Sequence, residues 1–360
     1  MIYIGAEVIV SPLGDSVEAN WEALSANRSG IALTPGAGFG GEDMHLSKIA
    51  GLNGPLRFQQ LVIRALSALA QQVDRSILAS GRTIVLISST KGELDDNLND
   101  QFGGACEAVM RQFGLAHYPM VISNACISGV LTLNTAGNMV AAGQYEHVIV
   151  IGCDVASDFV LYGFQSLFAV SDKPCAPFDA ARKGITLGEG CGAMLVSGIK
   201  AVFANSPLEL LTGTSANDAN HISGPSRTGE GLVRSVSRTM ANHGIDIREI
   251  DFICAHGTGT VFNDEMEAIA FDRLGLPDKP LNSLKGYFGH TLGAAGVIET
   301  AVCLQMIRNE MLIKSLGYHE TGTSKPLNII RENKPEKLRT VLKTASGFGG
   351  GNASLMIRYL

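Results

Sequence analysis

The sequence predicts an α/β fold built from two similar halves, and three observations carry that prediction. Short, almost wholly apolar runs, TIVLIS at 83–88, HVIVIG at 147–152 and DFICA at 251–255, have the length and β-branched content of strands covered on both faces. Helical stretches alternate with these runs, as they do when crossover helices join strands. The order strand, loop, charged helix, loop, Gly/Ala-rich helix then occurs twice, and the halves divide as 1–198 and 199–360.

Composition bounds the function. A chain of 360 residues, 46% hydrophobic, can bury a large core, and its 42 glycines point to many tight turns. A formal charge of −6 with no Lys/Arg run argues against a nucleic-acid partner. Seven cysteines, none in a C-x-x-C pair, argue against a zinc ribbon and suit a reducing compartment. The first residues, MIYIGAEVIV, lack a basic region and meet Glu7 at once, so they read as a strand instead of a leader. The apolar run from Ala294 to Met306 is interrupted by Glu299 and is too short to span a bilayer. These features lead us to expect a soluble, cytoplasmic protein with neither a membrane nor a nucleic-acid partner.

Residues 2–10 read as the first strand, and Ser16–Leu24 as a short helix opened by an Asp15/Ser16 cap. Gly30–Gly54 is rich in glycine and poor in period, so it reads as surface loop. Its Gly36–Gly41 run is formally G-x-G-x-x-G, but Pro35 before it and Glu42-Asp43 after it are the wrong context for a dinucleotide site. Leu56–Gln72 is a helix with Leu61, Ala65, Leu66 and Leu69 on one face. TIVLIS follows, then Ser89-Thr90-Lys91-Gly92 and a polar helix. After HVIVIG an irregular zone, 154–190, leads to a strand at Cys191–Ser197.

The second half opens with a strand at Leu208–Thr212. Glu230–His243 is a helix, DFICA a strand, and a charged helix starts near Asp264. Leu281–Ser283 precedes a helix at Thr291–Asn309 that echoes the earlier Gly/Ala-rich one in composition and position. Leu338–Thr344 and Ala353–Arg358, separated by the glycine run at 347–351, close the fold.

Chemistry concentrates at three points. Val121–Gly143 reads as a strand end, a sharp turn and a helix, with Cys126 at the turn. That is the geometry of a nucleophile elbow, where helix N–H groups favour a thiolate and can hold an oxyanion. His256 follows a buried strand and precedes Gly-Thr-Gly-Thr. His290 precedes a helix, five residues after Lys285. All three lie on loops that two packed β/α halves bring to one face. A histidine at a helix N-terminus stays neutral and donates a hydrogen bond. A cysteine hydrolase needs one histidine base and an orienting Asn or Asp. Two histidines and a lysine better fit stabilisation of an enolate.

These residues sit within a longer series of motifs. The series runs Ala125-Cys126; Pro177-Phe178-Asp179, Arg182 and Gly188-Glu189-Gly190; Ala216, Asp218 and His221; and Ala255-His256-Gly257-Thr258-Gly259-Thr260, Asp264 and Glu267. It ends with Ser283, Lys285, Gly289-His290 and Gly293–Gly296, then Gly347-Phe348-Gly349-Gly350 and Asn352. In type and order the series resembles the elongating β-ketoacyl-acyl carrier protein synthases of the thiolase superfamily. The resemblance implies a five-layered αβαβα fold and decarboxylative condensation of an acyl group on Cys126 with malonyl-acyl carrier protein. His256 and His290 would stabilise the enolate. Lys285 would set the electrostatics through Glu267 or the His290 loop, and Asp264 and Glu267 would support the site. Thr258 and Thr260 would bind the phosphopantetheine arm. Phe348 would gate the cavity and join Cys126 in the oxyanion hole. Neither a metal nor a redox cofactor is implied.

The partners implied are an acyl carrier protein and a second subunit, the same or related, paired through the strand at His147–Gly152. The chain departs from the family pattern in its short stretches around 30–54 and 94–116, and in Lys183, where aspartate is usual. Its basic surface is also thin, Arg57 and Arg64 being the nearest candidates for carrier contact. These departures suggest a specialised pathway, such as aryl-polyene or resorcinol-type pigment synthesis. Alternatives are a coenzyme A-dependent initiating synthase or thiolase, a non-catalytic chain-length-factor-like subunit, and an unrelated cysteine hydrolase. The second histidine argues against the first, and the presence of Cys126 against the second.

Overall fold

The computed structural model describes residues 1–220 and 224–360; His221 of the sequence motif lies outside the described residues. Five strands of the first half enter the main sheet: β1 (Tyr3–Val10), β2 (Thr83–Ser88), β3 (Met120–Ile122), β4 (His147–Asp154) and β5 (Gly190–Ser197). The second half supplies β6 (Leu208–Leu211), β7 (Phe252–Cys254), β8 (Leu281–Asn282), β9 (Thr340–Gly347) and β10 (Gly351–Arg358). Their spatial orders are β3-β2-β4-β5-β1 and β8-β7-β9-β10-β6, so every strand repeats the neighbours of its counterpart. Strand sense repeats too. β2 is parallel to β3 and β4, as β7 is to β8 and β9, and the remaining pairs are antiparallel. The two halves are joined edge to edge where Tyr3 and Ile4 of β1 meet Glu209 and Leu208 of β6. The sheets of the two halves are therefore continuous at this edge.

Six longer helices follow the same repeat: α1 (Arg57–Leu69), α2 (Gly103–Phe113), α3 (Ser128–Ala141), α4 (Glu230–His243), α5 (Val261–Arg273) and α6 (Ala295–Arg308). Alternate residues of the apolar strands serve different cores. Ile84, Leu86, Val148 and Val150 pack in a central cluster with Val130 and Leu133 of α3 and Val297 and Ala301 of α6. Val85, Ile87, Ile149 and Ile151 face an outer cluster built on α1. The outer cluster of the second half sets Leu232 of α4 and Phe271 of α5 against Ile253 and Leu342. Helices, sheet, central helices, sheet and helices give the five layers expected. Burial on both faces explains why these strands carry no polar alternation.

The central helices meet at two glycines. A Cβ on Gly129 would lie 2.9 Å from the Cα of Gly296, and one on Gly296 would lie 2.5 Å from the nitrogen of Val130. Neither position admits a side chain without moving a helix. Each glycine follows, at the same interval, a non-glycine residue in the left-handed region, Ala125 (φ 44°) in one half and Leu292 (φ 51°) in the other. Gly293 is therefore the structural counterpart of Cys126. The sequence echo set Cys126 and His290 at equivalent helix starts; the backbone instead places His290 three residues before the equivalent point, because the left-handed turn falls at Leu292.

Three further expectations change. The strand at His147–Gly152 lies between β2 and β5, with both edges paired, so it has no edge to offer a second subunit. The open edge of the first half is β3, where Met120 is exposed. The 30–54 region holds a small hairpin, Ala32–Thr34 with Met44–Leu46, and Gly36–Gly41 lies in its connection with no helix following. The 154–190 zone contains a helix, Asp158–Ser166, of which only Leu161 is buried; its apolar residues do not follow a core-facing period.

Replacing Gly296 with Ala should lower stability by about 1–3 kcal/mol, the usual cost of overpacking. In urea unfolding, Gly104→Ala in α2, where a Cβ meets nothing nearer than 3.9 Å, should be neutral or slightly stabilising.

Candidate active site

The elbow is built locally. Ser128 Oγ accepts the N–H of Asn124 at 2.7 Å and donates to the carbonyl of Ala125 at 2.6 Å, fixing the left-handed turn that holds Cys126 above α3. Cys126 lies at the floor of a cavity of about 350 Å³ and is 7% exposed. Burial pushes its thiol up to about 12, with Lys285 only partly offsetting it and Asp154 reinforcing it. The expected resting thiolate is thus not what this environment favours. The water-poor setting outweighs the helix terminus, and no cationic imidazole stands beside the sulfur.

The donor atoms of Cys126, His256 and His290 all lie within 4.8 Å of one another. The two imidazoles meet edge to face, with centroids 5.1 Å apart. His290 is pinned between the halves: its N–H donates to Thr186 at 2.7 Å, and its carbonyl accepts from Gly188 at 3.0 Å. Its Nδ1 accepts the N–H of Leu292 at 3.2 Å, which leaves the proton on Nε2, free to donate. His256 Nδ1 is buried without a partner. Burial, then Lys285, holds both imidazoles well below the ordinary histidine range, so both are neutral.

Lys285 makes its side-chain contacts with residues other than Glu267. Its Nζ donates to the carbonyl of His256 at 2.5 Å and to Glu299 Oε1 at 2.8 Å, while Lys343 Nζ stands 2.6 Å from Glu299 Oε2. The sequence reading missed Glu299 and Lys343 as site residues. Glu267 is turned to the loop instead, accepting the N–H groups of His256 (2.8 Å) and Gly257 (2.6 Å). Burial, then Asp264, raises Glu267 to about 7, and two buried lysines already hold Glu299. Burial opposes the ionised form of Glu299 as well, yet Lys285 and Lys343 together keep its carboxyl below the ordinary range.

The motif residues form a brace around the cavity. Asp264 accepts the N–H groups of Thr258 (2.8 Å), Gly259 (3.1 Å) and Phe178 (2.7 Å), which ties the Pro177–Asp179 segment to the His256 loop. Thr260 caps α5 through the N–H of Asn263, and its Oγ1 lies 2.9 Å from that of Thr258; both threonines line the cavity. Asp218 accepts from Gly231 and Asn352, and Asn352 in turn accepts from Ser346, holding the glycine turn against the elbow. A Cβ on Gly347 would lie 3.1 Å from the nitrogen of Cys126. Phe348, 39% exposed, lines the cavity, and its ring centroid lies 5.1 Å from that of Phe164. Phe164, Phe168 and Phe262 complete the lining and were not singled out in the sequence. Aromatic side chains without helical period carry no such signal.

Neither basic candidate for carrier contact stands free. Arg57 is tied to Glu189, whose carboxylate also accepts from Ile49 and Ala156. Arg64 pairs with Asp15 at 2.7 Å. Cys126, His256 and His290 are a zinc-type donor set, but two lysines against one glutamate give the surroundings a net positive charge that disfavours a dication.

Iodoacetamide should alkylate Cys126 slowly at neutral pH, with a rate rising about tenfold per pH unit without a plateau up to about pH 10, as a thiol pushed up to about 12 requires. Glu299→Gln strands two buried ammonium groups and should cost about 3–5 kcal/mol; adding Lys343→Met should recover part of that loss in urea unfolding. The histidines supply a further dependence on pH. Both take up a proton near 6.5 once unfolded but resist it in the fold, so stability should fall as the pH drops below 6.5.

The family model "Beta-ketoacyl synthase, N-terminal domain" matches residues 96–200, and "Beta-ketoacyl synthase, C-terminal domain" matches residues 210–319. A protein of Schizosaccharomyces pombe assigned as a mitochondrial 3-oxoacyl-[acyl-carrier-protein] synthase is 27% identical, over 97% of this chain and 96% of its own length. The chloroplastic 3-oxoacyl-[acyl-carrier-protein] synthase II of Arabidopsis thaliana is 30% identical over 66% of this chain and 46% of its own. A chain of the solved complex of a Xenorhabdus doucetiae ketosynthase with its chain length factor superposes with a TM-score of 0.89 at 26% identity, covering 100% of this chain and 98% of that one. Among the described residues no helix is long and apolar enough to cross a membrane. With both domain models matched in order and the repeated thiolase-like fold in place, this chain belongs to the β-ketoacyl synthase family.

Proposed function

We propose that the protein extends an acyl chain by decarboxylative condensation with malonyl-acyl carrier protein. The observation that carries this reading is the convergence of one thiol and two neutral imidazoles within 4.8 Å at the floor of one cavity. In the first step Cys126 Sγ attacks the thioester carbonyl of an acyl-carrier protein. The N–H groups of Cys126 and Phe348 hold the oxyanion, and the departing pantetheine sulfur takes the thiol proton. A malonyl thioester then places its carbonyl oxygen between His256 and His290. Its carbon–carboxylate bond breaks, carbon dioxide leaves, and the electron pair becomes an enolate held by the two imidazoles. The enolate carbon attacks the acyl carbonyl on Cys126, and collapse of the adduct expels the cysteine sulfur, which takes one proton from solvent. The balance requires no metal and no redox cofactor.

Neutral imidazoles suit this work because a cationic site would trap the carboxylate ahead of its loss. Lys285 supports them from behind, through the His256 carbonyl. Thr258 and Thr260, on the cavity wall, bind the amide-bearing arm. A second subunit pairs along the open β3 edge, either another copy or a related chain of the chain-length-factor kind, which is how the Xenorhabdus ketosynthase occurs. The medium is the cytoplasm, and a specialised pathway such as aryl-polyene synthesis fits the chain's shortened stretches.

Replacing Cys126 with Ala should abolish acyl loading and condensation while malonyl-carrier protein still binds. Replacing His290 with Ala should leave loading intact and lower condensation by about 10²–10³, the usual cost of one preorganised donor. Intact-mass analysis of acyl loading and release of labelled carbon dioxide separate the two, and condensation by His290→Ala at the wild-type rate would exclude the two-histidine mechanism. Light scattering should give the mass of two chains, alone or with a copurified related subunit; a monomer at micromolar concentration contradicts the β3 pairing.

A further inference from the structure

Lys183 is the residue that the proposed reaction leaves without a role. It departs from the family pattern, yet it lines the same cavity as Cys126, His256 and His290. The lining residues sort by depth. The three reactive side chains are at most 7% exposed, whereas Val261, Phe262 and Phe168 are 51%, 76% and 93% exposed and form the rim. The Lys183 side chain, 64% exposed, belongs to the rim. Among the described lining residues only Lys183 and Asp218 are charged. The carboxylate of Asp218 is engaged by the N–H of Gly231 and by Asn352. Lys183 meets Asp172, at 3.5 Å and equally exposed, on the side of a second cavity that both residues line; the contact is solvated and of little worth, so the side chain is free to swing to either cavity. The rim of the cavity therefore includes one loosely paired lysine along with exposed aromatic residues.

We propose that Lys183 binds the phosphodiester of the phosphopantetheine arm. The inference rests on the reading of the site as one that takes carrier-borne thioesters. The arm has its thioester at one end and its single anion at the other. With the thioester at the histidines, the chain passes Thr258 and Thr260 and the anion emerges at the rim. The filled mouth excludes water, and Phe168 and Phe262 then flank a charge-assisted hydrogen bond that bulk solvent no longer screens. The malonyl carboxylate lies at the floor, out of reach of a rim side chain.

The test compares malonyl-phosphopantetheine with malonyl-pantetheine, which lacks the phosphate. The wild type should take the phosphorylated thioester with a KM lower by about 3- to 10-fold, the range of a partly exposed charge-assisted contact. Lys183→Gln should lose that preference and Lys183→Arg should keep it, and the preference should shrink as salt rises. An equal rise in KM for both thioesters in Lys183→Gln would assign the lysine to the malonyl carboxylate. A preference retained by Lys183→Gln would place the phosphate elsewhere; either result overturns the proposal. Failure of the condensation reading looks different, because the wild type then releases no carbon dioxide and loads no hexanoyl group from hexanoyl-phosphopantetheine. Calorimetric binding of phosphopantetheine against pantetheine, to wild type and Lys183→Gln, reads the phosphate contact in either case.

Discussion

The crossing of α3 and α6 at Gly129 and Gly296 is the constraint on which the site depends. Two hydrogen-for-side-chain positions let the helices touch backbone to backbone, and this fixes the separation of the turns that lead into them. One turn carries Cys126 and the other follows His290, so a thiol from the first half and an imidazole from the second share one cavity. Asp154 locks the same junction from the sheet. It accepts the N–H groups of Thr90 in the first half and of Gly293 in the second, at 3.0 and 2.7 Å. A larger residue at either glycine would push the reacting groups apart by part of an ångström or more, which matters for groups that must act on one thioester.

A second balance sits behind the imidazoles. Lys285 and Lys343 are fully buried and share Glu299, so the region beneath the histidines carries more positive than negative charge. Such an arrangement is costly in itself, because each ion gives up water. Its consequence lies in protonation: burial first, and then the two lysines, hold both histidines well below their ordinary range, which favours the neutral imidazoles. What remains at the front of the site is a pair of neutral N–H donors and an uncharged thiol. Burial thereby selects chemistry in which charge appears only during the reaction and is met by fixed dipoles.

Much of this was legible in the chain, and the reasons differ by residue. TIVLIS and HVIVIG could be read as strands because burial on both faces leaves no polar residue to confuse the pattern. Cys126, His256 and His290 could be grouped because repeated halves bring matching loops together. Glu299 and Lys343 were visible as charges inside apolar runs, but nothing in one dimension says that a lysine on a strand and a second lysine meet around a glutamate on a helix. The helix at Asp158–Ser166 escaped detection because it packs on a small satellite cluster through one fully buried residue, Leu161, with Val160, Tyr162 and Phe164 only partly buried, so no clear helical period marks it. The expectation that His147–Gly152 pairs with a second subunit failed for a related reason. An all-apolar run signals burial without saying whether its neighbours come from the same chain, and here β2 and β5 occupy both edges of β4.

The distribution of charge along the cavity joins these strands of argument. At the floor, a positive substructure is kept one layer behind the reacting groups, where it governs protonation without touching substrate. On the walls, Asp264 and Glu267 spend their charge on backbone N–H groups and so hold the His256 loop rigid. At the rim, exposed aromatic residues and one lysine line the cavity. A long neutral chain with one anionic end matches that order from floor to mouth, whereas a short charged acid would leave the apolar rim uncovered and would meet no free cation at depth. The same order makes the thiol's high resting pKa tolerable. In the proposed reaction, a sulfur that stays protonated until a thioester fills the cavity is spared side reactions, and the substrate that displaces the last water brings the carbonyl that the sulfur attacks.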